Sequence, residues 1–262
     1  LERYSVPGAP VDLDDFVEAS YSYNPIPEPR RRPWVGVFHH PFRVPLGDVL
    51  PYLRARETRA TIERSPFWEE SRRWLVGAVA LSEHLAGHLR AWLDVPTLAV
   101  LHPAGLPRRE FDPARLFCAN RPPMLLQVGH YLRDTQAIHY VRLPAHWRAA
   151  KMAPWYSWQT SLDCLMRGRR KDLGQSPYVD AVAFGRLDDD CYEAMLCRTC
   201  QFTWTLAASA NNTIVEAIVR AAPIVTNRCP ATEEYLGREY PLFIEEADVD
   251  EGTGRIDLTA VL

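Results

Sequence analysis

The chain has 262 residues, of which 47% are hydrophobic and 24% are charged, and its formal net charge at pH 7 is -3. The composition is that of a soluble globular protein, and the length predicts one large domain or two smaller ones. No stretch approaches the roughly 18 consecutive apolar residues of a membrane span, so we expect no transmembrane segment. The weak net charge argues against a nucleic-acid binder, because such proteins carry a clear basic surplus.

The N-terminus and the cysteines indicate the cellular compartment. The first residues, LERYSVPGAPVDLDDF, have no basic start and no apolar stretch, so we expect no signal peptide and a cytoplasmic protein. Six scattered cysteines do not make a disulfide framework in a chain of this length. Cys197 and Cys200 form an isolated CxxC pair. The pair fits either reduced cysteines on a helix or a metal or redox site. A zinc site needs a fourth ligand at suitable spacing, and none is evident in the sequence.

The first half of the chain alternates strands with a helix. Residues 1–33 are rich in proline and charge and predict a loop. After Ser82, a plausible N-cap, the apolar residues follow helical spacing, which predicts a helix. Short apolar, β-rich runs predict three strands, at residues 34–38, 77–82 and 96–103.

The second half begins after a loop-like stretch at residues 103–123, where we place a domain boundary between residues 118 and 119. Asp190 and Glu193 make a capping-box pair at the start of a predicted helix. Residues 144–176 give no clear pattern. Further strands are predicted at 124–129, 178–185, 202–206 and 223–227, and further helices at 213–222 and 232–237. Strands separated by helices indicate βαβ units and parallel sheets.

Open parallel sheets bind ligands at the C-terminal ends of their strands, and two such ends carry basic side chains. His39 and His40 follow the first predicted strand, where an imidazole could act as a general base or be buried as a structural group. Arg133 follows the glycine turn at Gly129. It could clamp a phosphate, or be a surface arginine at the start of a helix.

A third strand end leads into the small-residue loop ASANNTIVE, where Asn212 or Thr213 opens a helix. Free N–H groups at a helix start form a ready anion site. Glu216 lies one turn inside, where a carboxylate could accept hydrogen bonds from the vicinal hydroxyls of a ribose. The alternative is that Asn212 only caps the helix and that Glu216 is an acid favoured by the helix dipole.

The acidic run Asp188–Asp190 resembles the DxD motif by which GT-A glycosyltransferases hold a metal-diphosphate. Acids at a helix start are also what capping and the helix dipole favour without any ligand, and we prefer this interpretation. The sequence has no Walker A loop, GxGxxG, HExxH or GxSxG motif, so nothing supports a kinase, classical dehydrogenase, zincin or α/β-hydrolase.

The run NNTIVEAIVRAAPIVTNRCPATEEYLG, residues 211–237, is similar to the nucleotide-sugar-binding segment of retaining glycosyltransferases of the GT-B fold, family-four-like. Three shorter runs resemble the same family. VGHYLRDTQAI, residues 128–138, resembles its glycine turn with a phosphate-binding basic residue. FGRLDDDCYEAML, residues 184–196, resembles the strand and helix that pass near the nucleobase, and FHHPF, residues 38–42, resembles the acceptor-side half.

The resemblance implies a role for each candidate residue. Glu216 would hold the ribose hydroxyls, and His39 or His40 would serve the acceptor side. The diphosphate would meet Asn211, Asn212 and Thr213, with Arg133 and the turn at Gly129 opposing its charge, and Glu234 would complete the donor site. In two places the sequence departs from the family. Ala208 stands where the family carries a Glu for the donor sugar, and no Lys follows Arg133, with Lys151 a distant substitute.

We therefore predict an α/β fold of two Rossmann-like domains, residues 1–118 and 119–262, with parallel sheets facing across a cleft, minimal or trimmed. The predicted function is metal-independent transfer of a sugar from a nucleotide-diphosphate donor to an acceptor hydroxyl, with retention. No cofactor and no nucleic-acid partner are expected. The alternatives are a non-catalytic nucleotide-sugar-binding or scaffold protein on the same fold, and an epimerase acting on nucleotide sugars.

Overall fold

The structure, a computed structural model, describes residues 10–23, 26–42, 58–152, 157–172, 174–250 and 253–262. The chain divides into two compact units, residues 1–103 with 207–210, and residues 104–206 with 211–262. The sequence places the boundary after residue 118, and the first unit's N-terminal segment ends at Pro103. Both units are α/β with parallel sheets, as predicted. Within the described ranges, no helix combines the length and the apolar character needed to span a bilayer.

The strands are β1 (Asp12–Asp14), β2 (Trp34–Phe38), β3 (Leu75–Ala80), β4 (Thr97–Ala99), β5 (Met124–Gln127), β6 (Val141–Arg142), β7 (Arg148–Met152), β8 (Val182–Phe184), β9 (Cys200–Thr203), β10 (Ile224–Asn227), β11 (Phe243–Ile244), β12 (Val249–Asp250) and β13 (Arg255–Asp257). The α-helices are α1 (Thr58–Glu63), α2 (Trp68–Arg72), α3 (Glu83–Trp92), α4 (Pro113–Leu116), α5 (Ser157–Asp172), α6 (Asp189–Leu196), α7 (Asn212–Val219) and α8 (Pro230–Leu236).

The first unit contains a four-stranded parallel sheet in the order β1-β2-β3-β4. Strand β2 buries Trp34 and Phe38 on one face, because alternate side chains of a strand share a face. The predicted N-cap is confirmed, since the Ser82 hydroxyl accepts a hydrogen bond from the Leu85 N–H at 3.2 Å. Part of the predicted loop at residues 1–33 is wrong, because β1 pairs with β2 there. Residues 1–9 of that loop lie outside the described part of the chain.

The second unit contains a six-stranded parallel sheet in the order β11-β10-β9-β5-β7-β8. When the six strands are renumbered in chain order, this sheet has the strand order of the doubly wound nucleotide-binding fold. In that fold the topology reverses between the first and fourth strands. Those strands are β5 and β9. A small separate sheet has the strand order β12-β13-β6, and none of its three strands was predicted from the sequence.

The stretch that gave no sequence pattern, residues 144–176, forms strand β7 and the long helix α5. The buried part of β7 contains Lys151, and because this residue is charged the strand lacks the continuous apolar run that would predict it. Its ammonium group pairs with the Asp163 carboxylate of α5 at 2.9 Å. A buried charge is tolerated only with such a partner, so β7 and α5 depend on each other.

Candidate functional site

The topology of the second unit indicates where a ligand would bind. Strands β5 and β9 are neighbours and mark the point where the strand order reverses. In doubly wound sheets the ligand crevice lies beyond the C-terminal ends of the two strands at this point. The loop after β5 carries Gly129 and Arg133, and the connection after β9 leads into α7 at Asn212. The candidate residues of these two segments are therefore brought to one sheet edge.

The turn after β5 holds Arg133 against the backbone. Gly129 has a φ of 81°, a left-handed conformation that favours glycine. A Cβ at this position would lie 2.6 Å from Cζ of Arg133, so any side chain here would displace the guanidinium. Arg133 also forms an isolated antiparallel bridge with Thr205, which follows β9. The glycine turn thus brings this arginine to the loop that follows β9.

Arg133 is 8% exposed, so the alternative of a surface arginine at a helix start is wrong. Its Nη2 donates to Oδ1 of Asn211 at 2.7 Å, whereas Nε finds no acceptor among the described residues. Burial lowers the pKa of Arg133 to about 10, against the opposing charge of Glu216. Within the described ranges no carboxylate forms an ion pair with it. A buried cation in this state is stabilised by an anionic ligand.

Helix α7 begins at Asn212, one of the two predicted first residues. Asn211 is the N-cap, and its Oδ1 accepts from the Thr213 N–H at 3.0 Å as well as from Arg133. Asn212 is therefore the first residue of the helix, and the alternative that Asn212 only caps it is wrong. Among the described residues, no acceptor is found for the N–H groups of Asn212 and Ile214. These donors and Arg133 lie at one end of the same helix.

Glu216 is half-buried on α7, one turn from its start, and its Oε2 accepts a hydrogen bond from the Tyr192 hydroxyl at 2.8 Å. Burial raises the pKa of Tyr192, and the neighbouring Glu216 carboxylate raises it further, so the phenol is a permanent donor at neutral pH. Tyr192 lies on α6 and was not singled out from the sequence. The two residues are 24 positions apart, and only the packing of α6 beside α7 brings them together.

The start of α6 also differs from the prediction. Asp188 is the N-cap, with its carboxylate accepting from the Cys191 N–H at 2.8 Å. Asp190 instead pairs with Arg108 at 2.5 Å, and Glu193 pairs with the buried Arg220 at 2.5 Å. The predicted capping box of Asp190 and Glu193 is therefore wrong. The preference for capping over a metal-binding motif in this acidic run agrees with the role of Asp188.

The structure also places three other candidates: Lys151, Glu234 and the cysteine pair. Lys151 is committed to the buried ion pair with Asp163, so it is not the second cation of the glycine turn. Glu234 is exposed on α8. Cys197 is the C-cap of α6 and Cys200 begins β9, so the interpretation that both lie on one helix is wrong. Among the residues that the structure describes, no three metal-binding side chains gather into a cluster.

In the first unit, the histidine pair after β2 is held by a buried carboxylate. Oε1 of Glu18 accepts the N–H groups of His39 at 2.9 Å and His40 at 2.8 Å, and Oε2 finds no partner among the described residues. Burial raises the pKa of Glu18 to about 7. The His39 carbonyl oxygen accepts from the hydroxyl of Ser209, which belongs to the same unit. Glu18 is a second residue that sequence patterning missed.

The ring of His39 has a defined tautomer. Its Nε2 lies 2.7 Å from the carbonyl oxygen of Asp15, which can only accept, so Nε2 carries the proton and Nδ1 the lone pair. The ring packs on Phe16 at 4.5 Å, and burial lowers the pKa of His39. The imidazole is therefore neutral at physiological pH. This state suits an acceptor of a hydrogen bond from a hydroxyl group.

The fold is that of GT-B glycosyltransferases. Similar solved structures include sucrose-phosphate synthase from Thermosynechococcus elongatus, with 13% sequence identity and a TM-score of 0.57 over 84% of this chain and 56% of that one. HepE of Anabaena in complex with UDP-glucose shares 14% identity, with a TM-score of 0.55 over 87% of this chain and 59% of that one. TarM of S. aureus shares 8% identity, with a TM-score of 0.51 over 86% and 41%.

The chain thus spans little more than half the length of the first two structures. Comparison with protein-family models finds no match, and comparison with curated proteins finds none either. The structural similarity therefore defines the fold of this chain, and its chemistry has to be argued from its own residues.

Proposed function

We propose that the chain transfers a glycosyl group from a nucleoside-diphosphate sugar to an acceptor hydroxyl, with retention and without a divalent metal. The observation that carries this proposal is the buried guanidinium of Arg133, which has no carboxylate partner among the described residues and lies at the strand-order reversal. A diphosphate supplies the missing negative charge. The UDP-glucose bound to HepE, a protein of the same fold, supports this class of donor.

Residues of the second unit divide the binding of such a donor between them. The guanidinium and the N–H groups at the start of α7 face a diphosphate, because a helix N-terminus favours an anion. Negative charge builds up on the leaving diphosphate in the transition state, and fixed donors stabilise it there. Glu216, oriented by Tyr192, accepts hydrogen bonds from a pair of ribose hydroxyls. His39 takes the acceptor side through the lone pair on Nδ1.

Binding and turnover distinguish this proposal from its main alternative, a non-catalytic nucleotide-sugar-binding protein. Ala208, at the position of the family's sugar-binding Glu, favours that alternative. A panel of nucleoside diphosphates and nucleotide sugars is screened by thermal shift, since a ligand at a hundred times its Kd stabilises by about 2.7 kcal/mol. Release of nucleoside diphosphate is then measured with sugar acceptors. Stabilisation without release selects the binding protein, and no stabilisation by any compound overturns both.

Replacing Glu216 by Gln is expected to weaken nucleotide binding by about 1.5–3 kcal/mol, the range for a hydrogen bond to a charged group. The fold should survive, because the half-buried side chain keeps its shape and its bond from Tyr192. Isothermal titration calorimetry with the best diphosphate of the panel measures the loss. Tyr192→Phe is the matched variant, since it keeps the Glu216 charge and removes only the orienting hydroxyl. It should weaken binding by less. Unchanged binding in Glu216→Gln would move the ribose elsewhere.

Donor turnover is expected to be the same in EDTA and in added Mg²⁺ or Mn²⁺. The acids of the DxD-like run are engaged in the structure, with Asp188 capping α6 and Asp190 paired with Arg108. The cationic Arg133 and the start of α7 take the role of the metal. If chelation abolishes turnover, metal restores it, and Asp188→Ala with Asp190→Ala removes that rescue, the metal-free mechanism is wrong.

A further inference from the structure

The second unit has two adjoining pockets at the sheet edge opposite to Arg133. Cys200 and Ile224, the first residues of β9 and β10, line one of them, which we call the apolar cavity. Arg148, the first residue of β7, lines the other, which we call the basic pocket. Because all six strands are parallel, their first residues share the N-terminal edge of the sheet. Neither pocket belongs to the proposed donor site.

The apolar cavity has a volume of about 630 Å³, and no charged side chain lines it. Its walls include the rings of Phe111, Trp147 and Tyr240. Two large apolar side chains on its lining remain open to solvent, Phe117 at 61% exposure and Ile218 at 44%. Exposed apolar residues gathered around a cavity mark a binding site, whereas single ones scattered over a surface do not. The volume lies within the range of small-molecule pockets.

The basic pocket has a volume of about 540 Å³ and is lined by Arg121, His146 and Arg148, with no acidic side chain. Both arginines are exposed, and the described part of the chain shows no ion pair of either. Phe117 lines both pockets, and its ring stands 6.2 Å from that of Trp147, edge to face. The positive pocket and the apolar cavity therefore share the side chain of Phe117.

We propose that the two pockets together bind an anionic membrane lipid, with an acyl chain in the apolar cavity and the phosphate of the head group in the basic pocket. Charge complementarity selects this ligand, since a phosphate satisfies Arg121 and Arg148, and arginine binds phosphate with directed hydrogen bonds. A purely apolar ligand would leave the two arginines without a counterion, and free phosphate would leave the apolar cavity empty. An amphiphile fills both, and basic groups beside exposed apolar ones are the usual means of holding a protein at an anionic membrane surface.

Cosedimentation with vesicles tests the proposal on the full chain. The protein should sediment with vesicles of phosphatidylcholine and phosphatidylglycerol, and it should stay in the supernatant with vesicles of phosphatidylcholine alone. Arg121→Ala with Arg148→Ala should weaken partitioning about 30-fold, at the scale of one basic residue each near an anionic surface. Arg142→Ala is the matched control, because this exposed arginine lines neither pocket and pairs with Asp257. It should leave partitioning within about twofold.

Two further measurements test the acyl chain. Ile218→Asp places a charge at the cavity wall, on a side chain exposed enough to keep the fold, and should abolish binding. Lipids brominated in the acyl chain should quench tryptophan fluorescence in the parent and much less in Trp147→Phe.

Three results overturn the proposal. One is equal partitioning of the parent and the double arginine variant. The second is full binding by Ile218→Asp, which leaves only surface attraction or free phosphate. The third is a stable dimer, dissociated by Ile218→Asp and indifferent to vesicles, which makes a second copy the occupant.

Discussion

Replacing Arg133 by methionine is expected to have opposite effects on the empty protein and on its complex. Without ligand, the variant should be at least as stable as the parent, because it removes a buried cation that has no ion-pair partner among the described residues. Asn211 still caps α7 through its bond from Thr213. Diphosphate binding should fall by about 1.5–3 kcal/mol, and turnover by about 10²–10³-fold. Calorimetry, turnover assays and chemical denaturation measure the three effects.

Arg170→Met is the matched control for this prediction. Arg170 is also a buried arginine of the second unit, but its guanidinium forms two bonds to the Asp134 carboxylate, at 2.5 and 3.1 Å. Its removal leaves a buried carboxylate unpaired and should destabilise the protein by about 3–5 kcal/mol. If Arg133→Met destabilises the empty protein as much as Arg170→Met does and still binds the diphosphate, Arg133 is structural and the proposed site is wrong.

Glu18 should make the first unit less stable as the pH rises. Burial raises the pKa of Glu18 from 4.5 to about 7. Below pH 4.5 the carboxyl is protonated in both the folded and the unfolded chain. Between pH 4.5 and 7 the unfolded chain releases this proton while the folded chain retains it, so the free energy of unfolding falls. Above pH 7 both forms are ionised, and the loss levels off at about 3 kcal/mol.

Comparing the parent with Glu18→Gln isolates this effect from that of the other titrating groups. The variant keeps an oxygen that can accept the N–H groups of His39 and His40 and cannot ionise. The two proteins should unfold with equal free energy at pH 4, and the variant should be more stable at pH 8. Glu70→Gln is the control, because Glu70 is an exposed partner of Arg31. Its difference from the parent should stay flat with pH, and a flat difference for Glu18→Gln would refute the prediction.

Elements whose signal is local could be predicted from the sequence. The apolar run WVGVF gives strand β2 over the predicted residues, and Ser82 caps α3 as its position indicates. Strand β7 and helix α5 could not be predicted, because a lysine inside the strand is neutralised by Asp163, 12 positions further on. Strand β1 is short and acidic, and it exists because β2 offers it a partner. Such elements are stabilised by tertiary contacts that no local pattern contains.

In the candidate site, too, only the residues with a local sequence signal could be predicted. Strand ends and a helix start pointed to Arg133, Asn211 and Glu216, because parallel topology fixes which edge they share. Their roles toward a donor stay predictions. Tyr192 and Glu18 gave no signal, since each acts on a residue more than twenty positions away. The cap of α6 was misassigned by two residues, and the alternative that made Asn212 the cap of α7 missed by one, because neighbouring Asp or Asn side chains compete equally well for a helix start.

One oxygen of Asn211 serves two purposes, and this sharing links the ligand to the helix. It accepts from Arg133 at 2.7 Å and from the Thr213 amide at 3.0 Å. If the proposed diphosphate draws the guanidinium toward itself, the oxygen is left to the amide alone, and we expect the first turn of α7 to be more firmly closed. The free energy of opening of that turn would then report whether the neighbouring crevice is filled. Amide hydrogen exchange at Thr213 would thus measure whether the anion site is occupied, and the measurement needs neither an acceptor nor turnover.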